Sequence, residues 1–385
     1  MFESVKRVLL FFSVLILSYA VAEAVYSTLI ISGVLQGRKT IWFQESVPGN
    51  TVVTFDPVLG YKIGNVQSRY GAVRDDGVVE SVGLLHGNNL GFADSKDFYL
   101  NPLDTTIKRI AVLGDSFSAS QFTKRSWVEV LESEMNKSLS DSIELYNFSI
   151  DGGGVANWSS IVENLFVVQG FRFDGLIFAV SSNDLDRKFH WRQEYTYNGK
   201  DDLALGYFEE WFPEEIVSDT GDLIDWKKPC IAVLEPSEVD LILEGQHFEI
   251  ELLPYFLIDC KGLVVNAIQF IEDLFVSQAL ASPGQNLFDD GQLSLIQKLG
   301  RNCNKLGVPI LTLAIGTDED KALSFSKLVG GEYVTPEDFY RWTDTTTINY
   351  RILHDGHWNQ NGVNFFALYI KEPIAEWFRK AEIIK

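Results

Sequence analysis

The sequence of 385 residues has few of the residues on which disulfide frameworks and zinc sites depend. Its three cysteines are an odd number, and none of them forms a CxxC pair with another. An odd count without such pairs argues against both a disulfide framework and a cysteine-ligated zinc ion. Of the five histidines, His86, His190 and His247 show no ligand spacing with one another. The sequence therefore predicts no metal site.

Basic residues are also scarce, because 32 lysines and arginines face 53 aspartates and glutamates, for a formal net charge of -21. Proteins that bind nucleic acids need a basic surface, so we expect no nucleic-acid partner. The chain has no internal repeat and no low-complexity tract. Its hydrophobic content of 46% is enough for a sizeable core, which argues against wholesale disorder.

One long hydrophobic run is present, over residues 8–35, directly after Lys6 and Arg7. Two interpretations stay open. The run is long enough to form a transmembrane anchor, although Glu23 would then lie deep in the bilayer. Alternatively, Ala20-Val21-Ala22 satisfies the small-x-small rule for cleavage of a signal peptide. Both interpretations place the rest of the chain outside the cytoplasm, either as a single-pass membrane protein with a periplasmic or extracellular domain or as a secreted one.

The rest of the chain divides into an extension of short strands and turns over residues 36–105 and an α/β domain over 106–385. Ser126 and Glu129 form a capping-box signature at the start of one predicted helix. Continuous apolar strands that alternate with helices predict a parallel sheet covered on both faces. The predicted strands are 109–114, 143–149, 175–181 and 308–316, and the predicted helices are 127–135, 158–168, 293–306 and 361–378, the last interrupted or kinked at Pro373.

An acidic insertion over about residues 186–284 breaks the alternation of strands and helices. Sixteen acidic residues and two lysines lie between Asp201 and Cys260. The insertion is either a cap over the ligand-binding edge of the sheet or a solvated decoration. We favour the cap, because long insertions in α/β folds are commonly functional loops.

Polar residues follow the predicted strands at their carboxyl ends, where parallel α/β sheets bind ligands. Ser116 follows the first strand, Gly152 the second and Asn183 the third, and Asp355 and His357 precede the last helix. A hydroxyl, a glycine turn, an amide, a carboxylate and an imidazole at one edge are the groups that acyl transfer requires.

Each of these groups has a distinct chemical role. Ser116 is a nucleophile once a base accepts its proton, and the pKa of a histidine such as His357 suits that base. Asp355 can fix the tautomer of the imidazole and stabilise its charged form. His354 is an alternative base, but its position next to Asp355 makes the pairing strained. No cofactor is needed for this chemistry.

An oxyanion would need preorganised donors, which the backbone N–H groups of Ser116 and Gly152 and the side-chain amide of Asn183 can supply. The alternative is that Gly-Asp-Ser and the glycines are ordinary turn residues. A phosphate loop is disfavoured, because no Lys-Ser/Thr pair follows the glycines. Asp184 and Asp186 are expected to be solvated or to cap a helix rather than to ligate a metal.

The segments Gly114-Asp115-Ser116, Gly152, Asn183 and Asp355-Gly356-His357 resemble the blocks of the SGNH, or GDSL, hydrolase superfamily. The resemblance covers residues 108–377 apart from the acidic insertion. It implies a flavodoxin-like three-layer α/β/α sandwich with a parallel central sheet, and hydrolysis or transfer of acyl groups from esters or thioesters. Two departures are Ser182, where the family often has glycine, and an Asp-x-His spacing where Asp-x-x-His is commoner.

These features together predict a serine esterase or O-acyltransferase with a Ser116–His357–Asp355 triad. The expected substrate is an acyl ester, for instance an acetyl ester, on a carbohydrate or a cell-envelope polymer. Two alternatives are a lipid esterase or thioesterase, and a non-catalytic envelope protein that binds glycan. The expected partners are the small ester or glycan and the membrane, the latter through the N-terminal helix.

Overall fold

The computed structural model describes two compact units of the chain. One unit holds Met1–Thr40, Arg74–Val78 and Leu241–Asn286, and the other holds Ile41–Val73, Val79–Asp240 and Leu287–Lys385. Residues 16–26 are helical, and no described helix is both long enough and apolar enough to cross a bilayer. The described residues are 14, 16–26, 28–29, 40–47, 52–56, 58–74, 77–102, 104–140, 142–181, 184–187, 192–196, 203–207, 231–245, 287–316, 319–336, 339, 348–353 and 355–384.

In the structure, the segment after the hydrophobic run forms strands and turns. Its strands are β1 (Thr40–Glu45), β2 (Val53–Asp56), β3 (Gly60–Ile63), β4 (Gln67–Arg74) and β5 (Val79–His86). The strands β2 and β3 pair in an antiparallel hairpin, and β4 and β5 pair in the same way. The described part of the extension is therefore folded into strands that pair with each other and, through β1, with a strand from outside the extension.

The α/β domain follows with strands and helices in alternation. Its first part is β6 (Lys108–Leu113), α1 (Ser116–Ala119), α2 (Trp127–Asn136), β7 (Ile143–Asn147), α3 (Val155–Ile161), a π-helical continuation (Val162–Val168) and β8 (Gly175–Ser181). Next come β9 (Arg192–Thr196), β10 (Leu203–Tyr207), β11 (Ile231–Leu234) and α4 (Pro236–Leu243). The last part is α5 (Asp290–Leu306), β12 (Ile310–Ile315), α6 (Glu319–Val329), β13 (Glu332–Val334) and α7 (Gln360–Lys380).

The central sheet has five parallel strands in the order β13-β12-β8-β6-β7. Every residue of β8 is buried, because helices cover both faces of the sheet. One face packs against α2 and α7, with Trp127 and Phe366 in the core. The other packs against α3, α5 and α6, with Trp158, Leu299 and Phe325 in the core. The predicted parallel, three-layer α/β arrangement is confirmed.

The start of one helix and the interior of another test the local predictions. Ser126 Oγ accepts a hydrogen bond from the backbone N–H of Glu129 at 3.1 Å, and the Glu129 carboxylate accepts one from the N–H of Ser126 at 2.9 Å. The capping box is thus confirmed. Pro373 lies inside α7, and the helix is not interrupted there.

A second sheet lies beside the α/β domain, with the order β11-β1-β4-β5. Its strand β11 pairs in parallel with β1 and places Ile231 opposite Trp42. Two hydrogen bonds connect β5 to the α/β domain. Ser81 Oγ donates to the carbonyl of Phe122 at 2.8 Å, and the N–H of Leu353 donates to Glu80 Oε1 at 3.1 Å.

Candidate active site

Ser116 lies at the first residue of α1, directly beyond the carboxyl end of β6. Asp115 caps this short helix, because its Oδ1 accepts a hydrogen bond from the N–H of Phe117 at 3.0 Å. The turn is tight, since a Cβ on Gly114 would lie 2.5 Å from Ser118 Oγ. A glycine at this position therefore lets the chain present Ser116 at the edge of the sheet.

The three side chains predicted to form the triad are in contact. Ser116 Oγ lies 2.7 Å from His357 Nε2. His357 Nδ1 contacts Asp355 Oδ1, which also accepts the backbone N–H of His357 at 3.3 Å. The hydroxyl, the imidazole and the carboxylate thus form a continuous path for a proton, with the base oriented by the acid.

Three aromatic rings surround the imidazole of His357. The ring of Phe117 stacks on it with a centroid distance of 4.9 Å, and Phe122 and Trp42 meet it edge-on at 5.2 and 5.9 Å. These contacts restrict rotation of the ring, so Nε2 stays directed at Ser116. About a quarter of the His357 side chain (24%) and 21% of the Asp355 side chain are exposed, which leaves the pair open on one side.

The charges of the pair reinforce each other. Burial acts to lower the pKa of His357, but the hydrogen bond and the negative charge of Asp355 outweigh it and hold that pKa above 6.5. Burial acts to raise the pKa of Asp355, whereas the bonds from His357 and from Trp42 hold it below its ordinary value. A histidine made more basic by an ionised carboxylate is suited to accept the proton of a serine.

The segment that carries Gly152 lies against the nucleophile segment. The N–H of Ile150 donates to the carbonyl of Gly114 at 3.2 Å, and Gln121 Nε2 donates to Asp151 Oδ2 at 2.8 Å. Gly152 itself has a φ of 71°, a left-handed conformation that favours glycine. Asn183, predicted as an oxyanion donor, and His354, the alternative base, lie outside the described residues, so both roles stay predictions.

A buried polar cluster lies next to the nucleophile segment. Asp184 is fully buried and accepts the N–H of Ser181 at 2.7 Å, while Ser181 Oγ donates to Asp115 Oδ2 at 2.6 Å. Arg187 Nη1 lies 3.2 Å from Asp184 and 3.6 Å from Asp115, and it donates to the carbonyl of Gly153 at 3.1 Å. The cluster therefore links the segments that carry Ser116 and Gly152 to the end of β8.

The cluster corrects the expectation that Asp184 is solvated or a helix cap. The carboxylate is inside the protein because a cation three residues later, Arg187, pairs with it there. Burial raises the pKa of Asp184 well above its ordinary value, and the nearby charge of Asp115 raises it further, while Arg187 opposes both. Asp186, in contrast, has an exposed side chain and accepts a hydrogen bond from Gln292 Nε2 at 2.8 Å.

Replacement of Arg187 by methionine is expected to destabilise the fold by about 2–4 kcal/mol at pH 8, because it leaves two carboxylates in a buried cluster without their cation. Without the cation, the pKa of Asp184 in the folded state rises further above its unfolded value. A carboxyl group whose pKa is raised in the folded state makes the fold less stable as the pH rises. The free energy of unfolding lost on substitution of Arg187 should therefore be smaller at pH 5.5 than at pH 8. Urea unfolding at both pH values measures the difference.

The matched control for this prediction is Arg187→Lys, which keeps the charge but not the planar guanidinium. It should lose less stability than Arg187→Met, and its loss should depend less on pH. If both variants unfold at the same urea concentration as the wild type at pH 8, Arg187 does not stabilise the cluster.

Two residues at this site have no sequence signal that would have selected them. Trp42 Nε1 donates a 3.0 Å hydrogen bond to Asp355 Oδ2 across a separation of 313 residues. Arg187 lies in a polar turn, where an arginine is unremarkable by its sequence context. Contacts of this kind become visible only when the fold brings the segments together.

No protein-family profile and no curated protein matches the chain. Among solved structures, it is similar to the psychrotrophic esterase EstA from Pseudoalteromonas sp., with 10% identity, 71% of this chain and 99% of that chain covered, and a TM-score of 0.38. It is also similar to a lipase/acylhydrolase from Enterococcus faecalis, with 8% identity, coverage of 70% and 96%, and a TM-score of 0.33. A third is TesA, with 11% identity, coverage of 71% and 99%, and a TM-score of 0.35.

Proposed function

We propose that the chain is a serine esterase of the SGNH type, which removes an acyl group from an ester or transfers it to an acceptor. The observation that carries this proposal is the contact of Ser116 Oγ with His357 Nε2 at 2.7 Å, with Asp355 on the other nitrogen of the ring. A serine paired with an oriented base at the edge of a parallel sheet has the geometry of an activated nucleophile.

The first half-reaction acylates the enzyme. Ser116 Oγ forms a bond to the ester carbonyl carbon while its proton passes to His357 Nε2, and Asp355 stabilises the imidazolium. The carbonyl oxygen becomes an oxyanion, for which the N–H groups of Ser116 and Gly152 and the amide of Asn183 are the proposed donors. The bond to the leaving alkoxide then breaks, and Nε2 returns the proton to it.

The second half-reaction removes the acyl group from Ser116. A water molecule or an acceptor hydroxyl gives its proton to His357 Nε2 and attacks the acyl carbon. The bond to Ser116 Oγ breaks, and the serine regains its proton from the imidazolium. Water yields a carboxylic acid and an acceptor hydroxyl yields a new ester, so the same side chains support hydrolysis and transfer.

The proposed substrate is a small acyl ester, such as an acetyl ester on a carbohydrate or cell-envelope polymer. The proposed location of the reaction is outside the cytoplasm, with the protein anchored to the membrane through its N-terminal helix. Support for a small acyl group comes from crowding at the nucleophile. Ser116 is 6% exposed, and three aromatic rings surround its base. Such restricted access to Ser116 favours a short acyl group over a long lipid acyl group.

Two measurements on the purified full chain test the proposal. A fluorophosphonate probe should form a covalent adduct on Ser116, identified by mass spectrometry of the modified peptide. The kcat/KM should also be higher for p-nitrophenyl acetate than for p-nitrophenyl octanoate. A preference for the octanoate would favour a lipid esterase or thioesterase. Absence of both an adduct and turnover would leave a non-catalytic, glycan-binding protein as the better interpretation.

A further inference from the structure

The N-terminal extension contacts the catalytic loop of the α/β domain at its acid. Trp42, on β1, donates its indole N–H to Asp355 Oδ2 at 3.0 Å. The other carboxylate oxygen, Oδ1, contacts His357 Nδ1. The two oxygens of Asp355 are therefore divided between a residue of the extension and the base of the proposed triad.

The indole of Trp42 is itself held in place by aromatic contacts. It stacks on the ring of Tyr70 at 5.8 Å, with planes inclined by 22°, and it meets the ring of Phe122 edge-on at 5.0 Å. Tyr70 lies on β4, the neighbour of β1 in the second sheet. The direction of the N–H is thus fixed by packing and not by its single hydrogen bond.

The loop that carries Asp355 is connected to the same sheet at a second point. The N–H of Leu353 donates to Glu80 Oε1 on β5 at 3.1 Å. Two strands of the extension therefore hold this loop. The strand β5 binds it at Leu353, two residues before Asp355, and β1 binds it at the Asp355 carboxylate.

The spacing of the acid and the base explains why such support is needed. Asp355 and His357 are two residues apart on one loop, and among the described residues the hydrogen bonds on the Asp355 carboxylate come from His357 itself and from Trp42. With 21% of its side chain exposed, the carboxylate is accessible to water, which would compete for Oδ1 if the group could rotate. A donor on Oδ2 blocks that rotation.

We propose that Trp42 is a positioning residue, whose N–H holds Asp355 so that Oδ1 stays on His357 Nδ1, and that the N-terminal extension is thereby part of the active site. This inference rests on the proposed function for its effect on rate, but the contact that it describes has consequences without turnover. It assigns a role to a residue outside the motifs that predict the triad.

The effect on rate is tested with Trp42→Phe, which keeps an aromatic ring and removes the donor. We expect kcat for p-nitrophenyl acetate to fall about 10-fold with KM within about twofold, because a misplaced base weakens the transition state and not substrate binding. In an Asp355→Asn background, the same substitution should change kcat by less than about twofold, since Trp42 acts through Asp355. Equal losses in both backgrounds would overturn the proposal.

The matched control is Trp377→Phe. Trp377 is buried, whereas Trp42 is partly buried, and Trp377 lies beside Gly175 at the first residue of β8, at the opposite end of the central sheet from Ser116. The substitution Trp377→Phe should leave kcat within about twofold of the wild-type value. If Trp42→Phe does not fold, replacement of Trp42 by β-(3-benzothienyl)alanine keeps the bicyclic shape, puts sulfur in place of the N–H and has the same expected outcome.

A measurement that needs no turnover separates this inference from the proposed function. With ¹³C-labelled histidine, NMR titration of the full chain reports the pKa of His357, which Asp355 raises in the wild type. Loss of the Trp42 donor should lower it by about half a unit to one unit, because Oδ1 then leaves Nδ1. An unchanged or higher pKa would overturn the positioning role. If the pKa falls but the wild type neither hydrolyses esters nor labels Ser116, the proposed function has failed and the contact stands.

Discussion

Replacement of Ser116 by alanine is expected to lower kcat for p-nitrophenyl acetate by about 10⁴- to 10⁶-fold, to the level that binding and oxyanion donors alone support. The variant keeps the fold, because it removes one oxygen from a side chain that hydrogen-bonds to His357. KM should change little, since the hydroxyl contributes to bond formation and not to substrate binding. Steady-state kinetics of the purified full chain and loss of the fluorophosphonate adduct measure the effect.

Ser118→Ala is the matched control for this prediction. Ser118 is also buried on α1, but its hydroxyl accepts a hydrogen bond from Trp127 Nε1 at 3.2 Å, away from His357. Its removal should cost less than about 10-fold in kcat, as expected for a buried hydrogen bond that does not touch the reacting atoms. A Ser116→Ala enzyme with more than a tenth of the wild-type kcat would show that another group is the nucleophile.

Replacement of Asp355 by asparagine has the second largest expected effect, a loss of about 10³- to 10⁴-fold in kcat. The amide can direct its NH₂ group at His357 Nδ1, which then accepts a hydrogen bond instead of donating one. Nε2 in turn carries a proton and can no longer accept that of Ser116. The substitution thus leaves all the groups in place but selects the wrong tautomer of the base.

The same variant should also change the pH dependence. In the wild type the pKa of His357 lies above its ordinary value of 6.5, so the acid limb of kcat/KM should lie above pH 6.5. Protonation of His357 below that point removes the base. Loss of the Asp355 charge lowers this pKa, so the acid limb of Asp355→Asn should move to lower pH. A limb that moves to higher pH would contradict the pairing.

Asp151→Asn provides the charge control, because the carboxylate of Asp151 also raises the pKa of His357, but only through its charge. Its removal should shift the acid limb downward by a few tenths of a unit and lower kcat by less than about 10-fold. If Asp151→Asn lowered kcat as much as Asp355→Asn, loss of negative charge near the base would explain both results, and the orienting role of Asp355 would be wrong.

Most of the parallel sheet could be predicted from the sequence because β6, β7, β8 and β12 are almost entirely buried. The apolar runs at β6, β8 and β12 and the capping box of Ser126 and Glu129 are local patterns that reflect burial and hydrogen bonding directly. The strand β13 has only three residues, too few for a periodic pattern. The pairing of β1 with β11 was not predicted either, because the two strands are far apart in the chain.

The residues of the site also fall into those that local sequence patterns predict and those that only the fold brings together. Ser116, Asp355 and His357 stand at the ends of elements that the sequence predicts, so the topology of a parallel sheet brings them to one edge. Trp42 and Arg187 act through contacts between distant segments or within a buried cluster, and no spacing rule selects them. For the same reason Asp184 was expected at the surface, since an aspartate in a polar turn is ordinarily solvated.

The parallel pairing of β1 with β11 has a consequence for biosynthesis. When β1 has left the ribosome, its parallel partner β11 has yet to be translated. In the folded protein this pairing places Ile231 opposite Trp42. Contacts between such distant segments make folding slow, because the chain entropy is lost before the contacts form. The proposed acid is translated later still, and the base, His357, follows the nucleophile by 241 residues. A ribosome-bound chain without His357 would therefore lack the proposed base, and the proposed esterase activity would appear only after residues 355–357 have been made and folded.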